Sequence, residues 1–226
     1  EYTLYGSQLL QTGENAFVVA LYPEECYEET PTLLRIHVIS TRPFEYLEDY
    51  QAIFNYQGTE TDIQIPAQVD GLPVHGIYTE AFRDSPVTSV VIGEGIERIY
   101  PKAFVNCTQL TSITMPDSLT EIMESAFANC TALETVIFEA GSPITELGAV
   151  EKRSDYGGWG FNMFLNTPAL KKVVLPENLT LIGNSCFENS GVAEINMPSS
   201  VKTIGTKAFY NCANIVDAGL SANLVY

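Results

Sequence analysis

Few residues in this sequence have the type and spacing that catalysis requires. The chain contains two histidines, His37 and His75. A nucleophilic site would need one of them in a cleft beside a serine or cysteine nucleophile, and nothing in the spacing indicates such an arrangement. We interpret both histidines as structural or solvated. Titratable pairs suited to general acid–base chemistry are also missing, so the sequence predicts a protein that is not an enzyme.

The cysteines and acidic residues do not form a metal-binding pattern. The five cysteines include no CxxC pair and none has a neighbouring histidine, which argues against zinc. The glutamates between Glu24 and Glu29 lack the alternating oxygen ligands and glycine turn of a calcium loop. We interpret this segment as a solvated loop, and we predict neither a metal nor a cofactor.

The charge balance excludes several classes of partner. The formal net charge is −17, from 28 acidic and 11 basic residues, and no cluster of Lys and Arg is present for a nucleic acid. The same charge disfavours an anionic membrane surface and favours a monomer that repels its own copies. No apolar run reaches the roughly 20 residues that span a bilayer. No signal peptide is visible, although the chain begins at Glu1, as a mature form or an excised segment would.

A repeat organises most of the chain. The pairs that end at Phe82, Phe104, Phe127, Phe164, Phe187 and Phe209 recur at intervals of 22, 23, 37, 23 and 22 residues. One unit reads ITMPDSLTEIMESAFANCTALETV from Ile113. Apolar residues alternate with polar ones before the proline, which predicts a half-buried strand that the proline ends. The A-F pair predicts a short helical or 3-10 turn.

One coil of about 23 residues cannot bury enough apolar surface to fold alone, so the units must stack into a solenoid. Cys107, Cys130 and Cys212 share one slot and are expected to form a column of small residues, with disulfides between adjacent coils as the alternative. Asn106 and Asn129 match the glycosylation acceptor pattern. Because both occupy the N-C slot of the repeat, we expect them to bond the backbone of their turns.

The spacing ϕ-P-x-x-ϕ-x-x-I-x-x-x-A-F-x-N-C-x-x-L, with ϕ apolar, resembles the BspA-like leucine-rich repeats of bacterial surface proteins. The resemblance extends from about Phe44 to Leu220, and its opening segment includes IPAQVDGLPVHGI. It implies a β-rich, right-handed leucine-rich-repeat solenoid of about six coils in residues 44–226. It also implies a secreted or cell-surface location and adhesion to other proteins, and it supplies no catalytic position.

Residues 1–43 do not repeat. Two strands are predicted there, at Ala16–Tyr22 and Leu33–Ser40. One interpretation is a β-rich cap that shields the open end of the solenoid, and the other is the end of a preceding domain.

The predicted strands present two columns of outward-facing residues. One column is polar. The other has apolar or β-branched side chains in its four middle units, with Gln64 and Asn196 at the ends: Val91, Thr114, Ile137 and Val174. An apolar stripe with a polar rim is typical of a protein-binding patch. The alternative is that β-branched residues simply favour strands.

An insertion at 148–162 interrupts the fourth coil. Between Leu147 and Phe164 there are 16 residues where other units have 4. Loops tolerate such growth at little cost, but this one contains aromatic and basic residues typical of a binding hot spot: Arg153, Tyr156, Trp159 and Phe161. Trp159 either packs over the broken coil or contacts a partner.

We therefore predict a non-enzymatic binding module that engages a protein or glycan through the strand face and the 148–162 insertion. The alternative is a passive spacer that presents a domain outside this segment.

Overall fold

The computed structural model describes residues 10–12, 16–21, 32–37, 43–148 and 161–215. The chain divides into two compact units, Glu1–Pro43 and Phe44–Tyr226. The first contains an antiparallel sheet of β1 (Leu10–Thr12), β2 (Ala16–Leu21) and β3 (Thr32–His37), in that order. Both predicted strands are therefore present and are six residues long, and the second begins one residue earlier than predicted. The acidic loop and Cys26 lie outside the described residues.

The second unit is a β-solenoid. Its strands are, in chain order, β4 (Phe44–Leu47), β5 (Ala52–Tyr56), β6 (Asp62–Ile65), β7 (Gln68–Val69), β8 (Leu72–Pro73), β9 (Gly76–Ile77), β10 (Ser89–Ile92), β11 (Arg98–Ile99), β12 (Ser112–Met115), β13 (Glu121–Ile122), β14 (Thr135–Phe138), β15 (Glu146–Leu147), β16 (Lys172–Val174), β17 (Leu181–Ile182), β18 (Glu194–Ile195) and β19 (Thr203–Ile204). A 3-10 helix at Glu48–Tyr50 joins β4 to β5.

Three successive segments make up each coil. The first is a strand of the main sheet, whose six parallel strands lie in the order β18-β16-β14-β12-β10-β6. The second is a two-residue strand on another side of the coil. Some of these short strands extend the sheet that β4 and β5 open, in the order β13-β11-β9-β5-β4, and the others form a sheet in the order β15-β17-β19. The antiparallel β4–β5 pair opens the unit, and β5 pairs in parallel with β9.

The third segment contains the A-F pair and differs from the predicted 3-10 or helical turn. Alternate N–H groups donate to the next coil, as in Glu80 to Pro101 and Phe82 to Ala103. The N–H groups between them donate three residues back, as in Arg83 to Glu80. The residues two before and two after the phenylalanine have positive φ, which breaks any helix. The segment is therefore a chain of hydrogen-bonded turns that also pairs with its neighbours.

A stack of aromatic rings forms the centre of the core on this third side. It starts at Tyr56, and its successive ring centroids lie 4.7–5.3 Å apart with nearly parallel planes: Tyr56, Phe82, Phe104, Phe127, Phe164, Phe187 and Phe209. The Phe127–Phe164 distance across the insertion is 5.3 Å, as in the uninterrupted coils. The insertion therefore leaves the coil stacking intact.

The asparagines of the N-C slot form a ladder. Each Nδ2 donates to the Oδ1 of the asparagine in the preceding coil at 2.9–3.0 Å, through Asn106, Asn129, Asn166, Asn189 and Asn211. The prediction that Asn106 and Asn129 bond the backbone of their own turns is therefore wrong. Asparagine suits the slot for a second reason, because it tolerates the positive φ found there.

The cysteines form the predicted column of small residues. Cys107 and Cys130 are fully buried, and their Sγ atoms donate to Phe82 O at 2.9 Å and Phe104 O at 3.1 Å. Among the described residues, all four cysteines are free thiols. Loss of hydration, followed by the charge of the Cys212 thiol group, raises the pKa of the Cys186 thiol. These cysteines are packing residues.

Candidate functional site

The outer face of the main sheet carries a continuous column of side chains that do not enter the core. Val91, Thr114, Ile137 and Val174 are direct register partners across four strands. Val91 is 40% exposed and Ile137 36% exposed, while Thr114 and Val174 are half-buried. Parallel neighbours lie about 4.8 Å apart, so the four side chains form one strip. We call these four residues the apolar stripe.

Polar residues bound the apolar stripe at both ends. Gln64 pairs with Val91 at one end and is exposed. At the other end, the Asn196 side chain continues the hydrogen bonding between β16 and β18 past the end of β18. Its Oδ1 accepts the Leu175 N–H at 2.7 Å, and its Nδ2 donates to Leu175 O at 3.3 Å. The predicted polar rim is therefore present, and Asn196 also closes the end of β16.

The second outward column leaves one side of the apolar stripe unobstructed. Its middle members are the half-buried Ser89, Ser112 and Thr135, which carry short hydroxyl side chains. Exposed charged residues lie only in its outer strands: Asp62, Lys172 and Glu194. A partner can thus approach the aliphatic side chains across a flat part of the sheet.

Exposed carboxylates line the opposite side of the apolar stripe. Glu94, Asp117 and Glu139 lie in successive coils, in the turns that follow β10, β12 and β14. Loss of hydration, followed by hydrogen bonds that the protonated Glu94 carboxyl donates to Asp117 and Glu139 and by the charges of these two residues, raises the pKa of the Glu94 carboxyl. We call these three residues the acidic row. The acidic row was not predicted from the sequence, although a signal existed: each residue follows its strand by one or two positions.

The ends of the insertion do not lie beside the apolar stripe. Gly148 follows β15 in the second segment of its coil, and the chain returns at Phe161, before the third segment. Phe161 is half-buried, and its carbonyl accepts the Ser125 N–H at 2.9 Å. The structure therefore places Phe161 in the coil wall, away from the main sheet. Arg153, Tyr156 and Trp159 lie outside the described residues.

A cluster of tyrosines covers the second side of the first coils. Ring centroids are 4.7 Å apart for Tyr50 and Tyr78, and 5.2 Å apart for Tyr78 and Tyr100. A hydrogen bond with Tyr50, followed by loss of hydration, raises the pKa of Tyr78. A Cβ on Gly76 would lie 2.9 Å from the Tyr100 ring, so a larger residue there would require this ring to shift. We interpret the cluster as packing between the 3-10 helix and the coils.

In the part of the chain that the structure describes, the remaining titratable residues do not form a reactive arrangement. His75 Nδ1 lies 3.5 Å from Glu97 Oε1, and the His75 backbone carbonyl accepts two N–H groups of the next coil. His75 is therefore a residue of the coil wall. Among the described residues, no group of three or more His, Cys, Asp or Glu could hold a metal ion. The same residues contain no helix long and apolar enough to cross a membrane.

The sequence matches the family model for the BspA type leucine rich repeat region in six copies, over residues 75–150 and 159–226. No curated protein matches the chain. The described residues within these ranges belong to the strands, turns and stacked aromatic rings given above.

Solved structures of bacterial proteins are similar to this chain. A Treponema pallidum leucine-rich repeat protein is 28% identical, with a TM-score of 0.64 over 76% of each chain. A Bacteroides ovatus leucine-rich repeat protein is 21% identical, with a TM-score of 0.58 over 76% of this chain and 44% of that one. A leucine rich cell surface protein of Faecalibacterium prausnitzii is 28% identical, with a TM-score of 0.49 over 76% of this chain and 51% of that one.

Proposed function

Because the chain belongs to the family of BspA-type leucine-rich repeat proteins, we propose that it is a non-enzymatic module that binds a protein or glycan through the outer face of its main sheet. The observation that carries the proposal is the register of the apolar stripe, whose exposed aliphatic side chains pack no core. Solenoids present extended surfaces of this kind to their partners. The proposed location is extracellular or at the cell surface.

The insertion is proposed as a second contact. Arg153, Tyr156 and Trp159 have the residue types that dominate binding energy in protein interfaces. Since its ends are anchored on a different side of the coil from the apolar stripe, the insertion and the stripe are tested separately. A partner whose binding is weakened by a substitution in only one of the two surfaces shows which surface it contacts.

A panel of extracellular proteins and glycans tests the proposal by biolayer interferometry. Ile137→Asp places a charge in the middle of the apolar stripe. We expect it to lower the affinity for every ligand at least about tenfold. Leu72→Asp is the matched control, because Leu72 is 42% exposed but lies on the β7–β8 hairpin. Trp159→Ala tests the insertion.

Circular dichroism of each variant separates loss of binding from loss of fold. If Ile137→Asp and Trp159→Ala both bind all ligands as the wild type does, the proposed surfaces are wrong. If the wild type binds nothing in the panel, the passive spacer replaces this proposal.

A further inference from the structure

The acidic row and the apolar stripe run side by side across the same three coils. Each carboxylate follows a stripe residue of its own coil by two or three positions: Val91 and Glu94, Thr114 and Asp117, Ile137 and Glu139. Since an extended residue spans about 3.3 Å and these residues lie in turns, the offset between the two lines is at most about 7–10 Å. Both lines repeat at the spacing of the coils, so they form a two-column pattern and not an isolated group of acids.

In the described part of the chain, no Lys or Arg side chain forms an ion pair with the acidic row. The described basic side chains that form ion pairs are engaged on other carboxylates: Arg83 with Glu80 and Asp84, Arg98 with Glu121, and Lys171 with Glu134. The three exposed carboxylates lie in successive coils, and the pKa of the Glu94 carboxyl is raised by loss of hydration and then by hydrogen bonds to Asp117 and Glu139 and by their charges. An arriving positive charge would relieve the repulsion.

We propose that the outer face of the main sheet binds a cationic protein surface, which places aliphatic side chains on the apolar stripe and Lys or Arg side chains against the acidic row. The inference rests on the proposed function, because it assigns a class of partner to the same face. A neutral glycan would use the stripe but gain nothing from the row. An acidic partner would be repelled by it.

The overall charge of −17 also attracts cations, so the experiment must separate attraction by the acidic row from attraction by the net charge of the protein. The row variant is Glu94→Gln with Asp117→Asn and Glu139→Gln. The matched control is Glu48→Gln with Asp49→Asn and Glu60→Gln, which removes the same number and types of exposed carboxylate at positions outside the main-sheet strands and the acidic row.

The probe is a fluorescein-labelled peptide of three Lys-Ser-Val-Ser repeats, in which an extended chain places Lys and Val on one face at about 7 Å. Fluorescence anisotropy gives its affinity for the full chain. We expect the row variant to bind about tenfold more weakly than the wild type, and the control to stay within about twofold. A peptide with Gln in place of Lys should bind the wild type and the row variant equally.

Two outcomes overturn the inference. One is an equal loss in the row variant and the control, which would show attraction by net charge alone. The other is full affinity in the row variant. The double variant Val91→Ser with Ile137→Ser separates these from a failure of the proposed function: if it retains wild-type affinity, the apolar stripe itself is not the binding surface.

Discussion

The two faces of the main sheet use similar residues under different constraints. The inner column of Val90, Ile113, Val136 and Val173 is at most 1% exposed. The outer column is also mostly aliphatic, yet Val91 and Ile137 keep more than a third of their surface in water. Packing explains the inner column completely. It does not explain the outer one, and for this reason the proposed binding surface lies there.

The largest expected effect on stability comes from comparing the same Ile→Ala truncation on the inner face and on the outer face. Ile113→Ala on the inner face should destabilise the fold by about 2–5 kcal/mol, because it removes buried methylenes and leaves a cavity. Ile137→Ala on the outer face should change the free energy of unfolding by less than about 1 kcal/mol. Urea denaturation measures both. Equal losses would show that Ile137 is part of the core.

Deletion of residues 149–160 should have a smaller effect on stability. It leaves four residues between Leu147 and Phe164, the number found in the other coils. Since the Phe127–Phe164 stacking already matches that of uninterrupted coils, we expect the free energy of unfolding to change by less than about 1 kcal/mol. Thermal unfolding followed by circular dichroism provides the measurement. A large loss would show that the insertion packs on the solenoid as a structural element.

The smallest effect concerns the charges beside the apolar stripe. A carboxyl whose pKa is raised on folding stabilises the fold fully below its ordinary pKa, and this contribution is lost as the pH rises through the raised value. Glu94→Gln should therefore raise the melting temperature at pH 7, and the difference should vanish below pH about 4. Melting curves across this range test the sign. A lower melting temperature at pH 7 would show that Glu94 has a stabilising partner.

The repeat made the interior predictable from the sequence. Phe104 and Phe127 occupy equivalent slots, and any residue that must fill the same slot in every coil shows itself by recurrence. The register of the apolar stripe follows from the same alignment. The Asn106–Asn129 bond was missed, because recurrence shows that an asparagine is required but not which atoms it bonds.

The exterior was only partly predictable. Phe161 was assigned to the binding surface by its residue type, whereas the structure uses it in the coil wall, where its backbone pairs with Ser125. The acidic row escaped notice because Glu139 replaces the proline of the repeat and sits one position from the slot of Glu94 and Asp117. Side-chain proximity across coils depends on turn geometry that the pattern does not specify.

Binding through the outer face of the main sheet is tested by the methyl NMR spectrum of the protein with and without a partner, because this spectrum compares the two faces of the same strands. Binding at the outer face predicts that a bound protein or peptide shifts the methyl signals of Val91, Ile137 and Val174. It also predicts that the signals of Val90, Val136 and Val173 stay in place. Shifts confined to residues elsewhere in the chain, with the outer column unchanged, would contradict it.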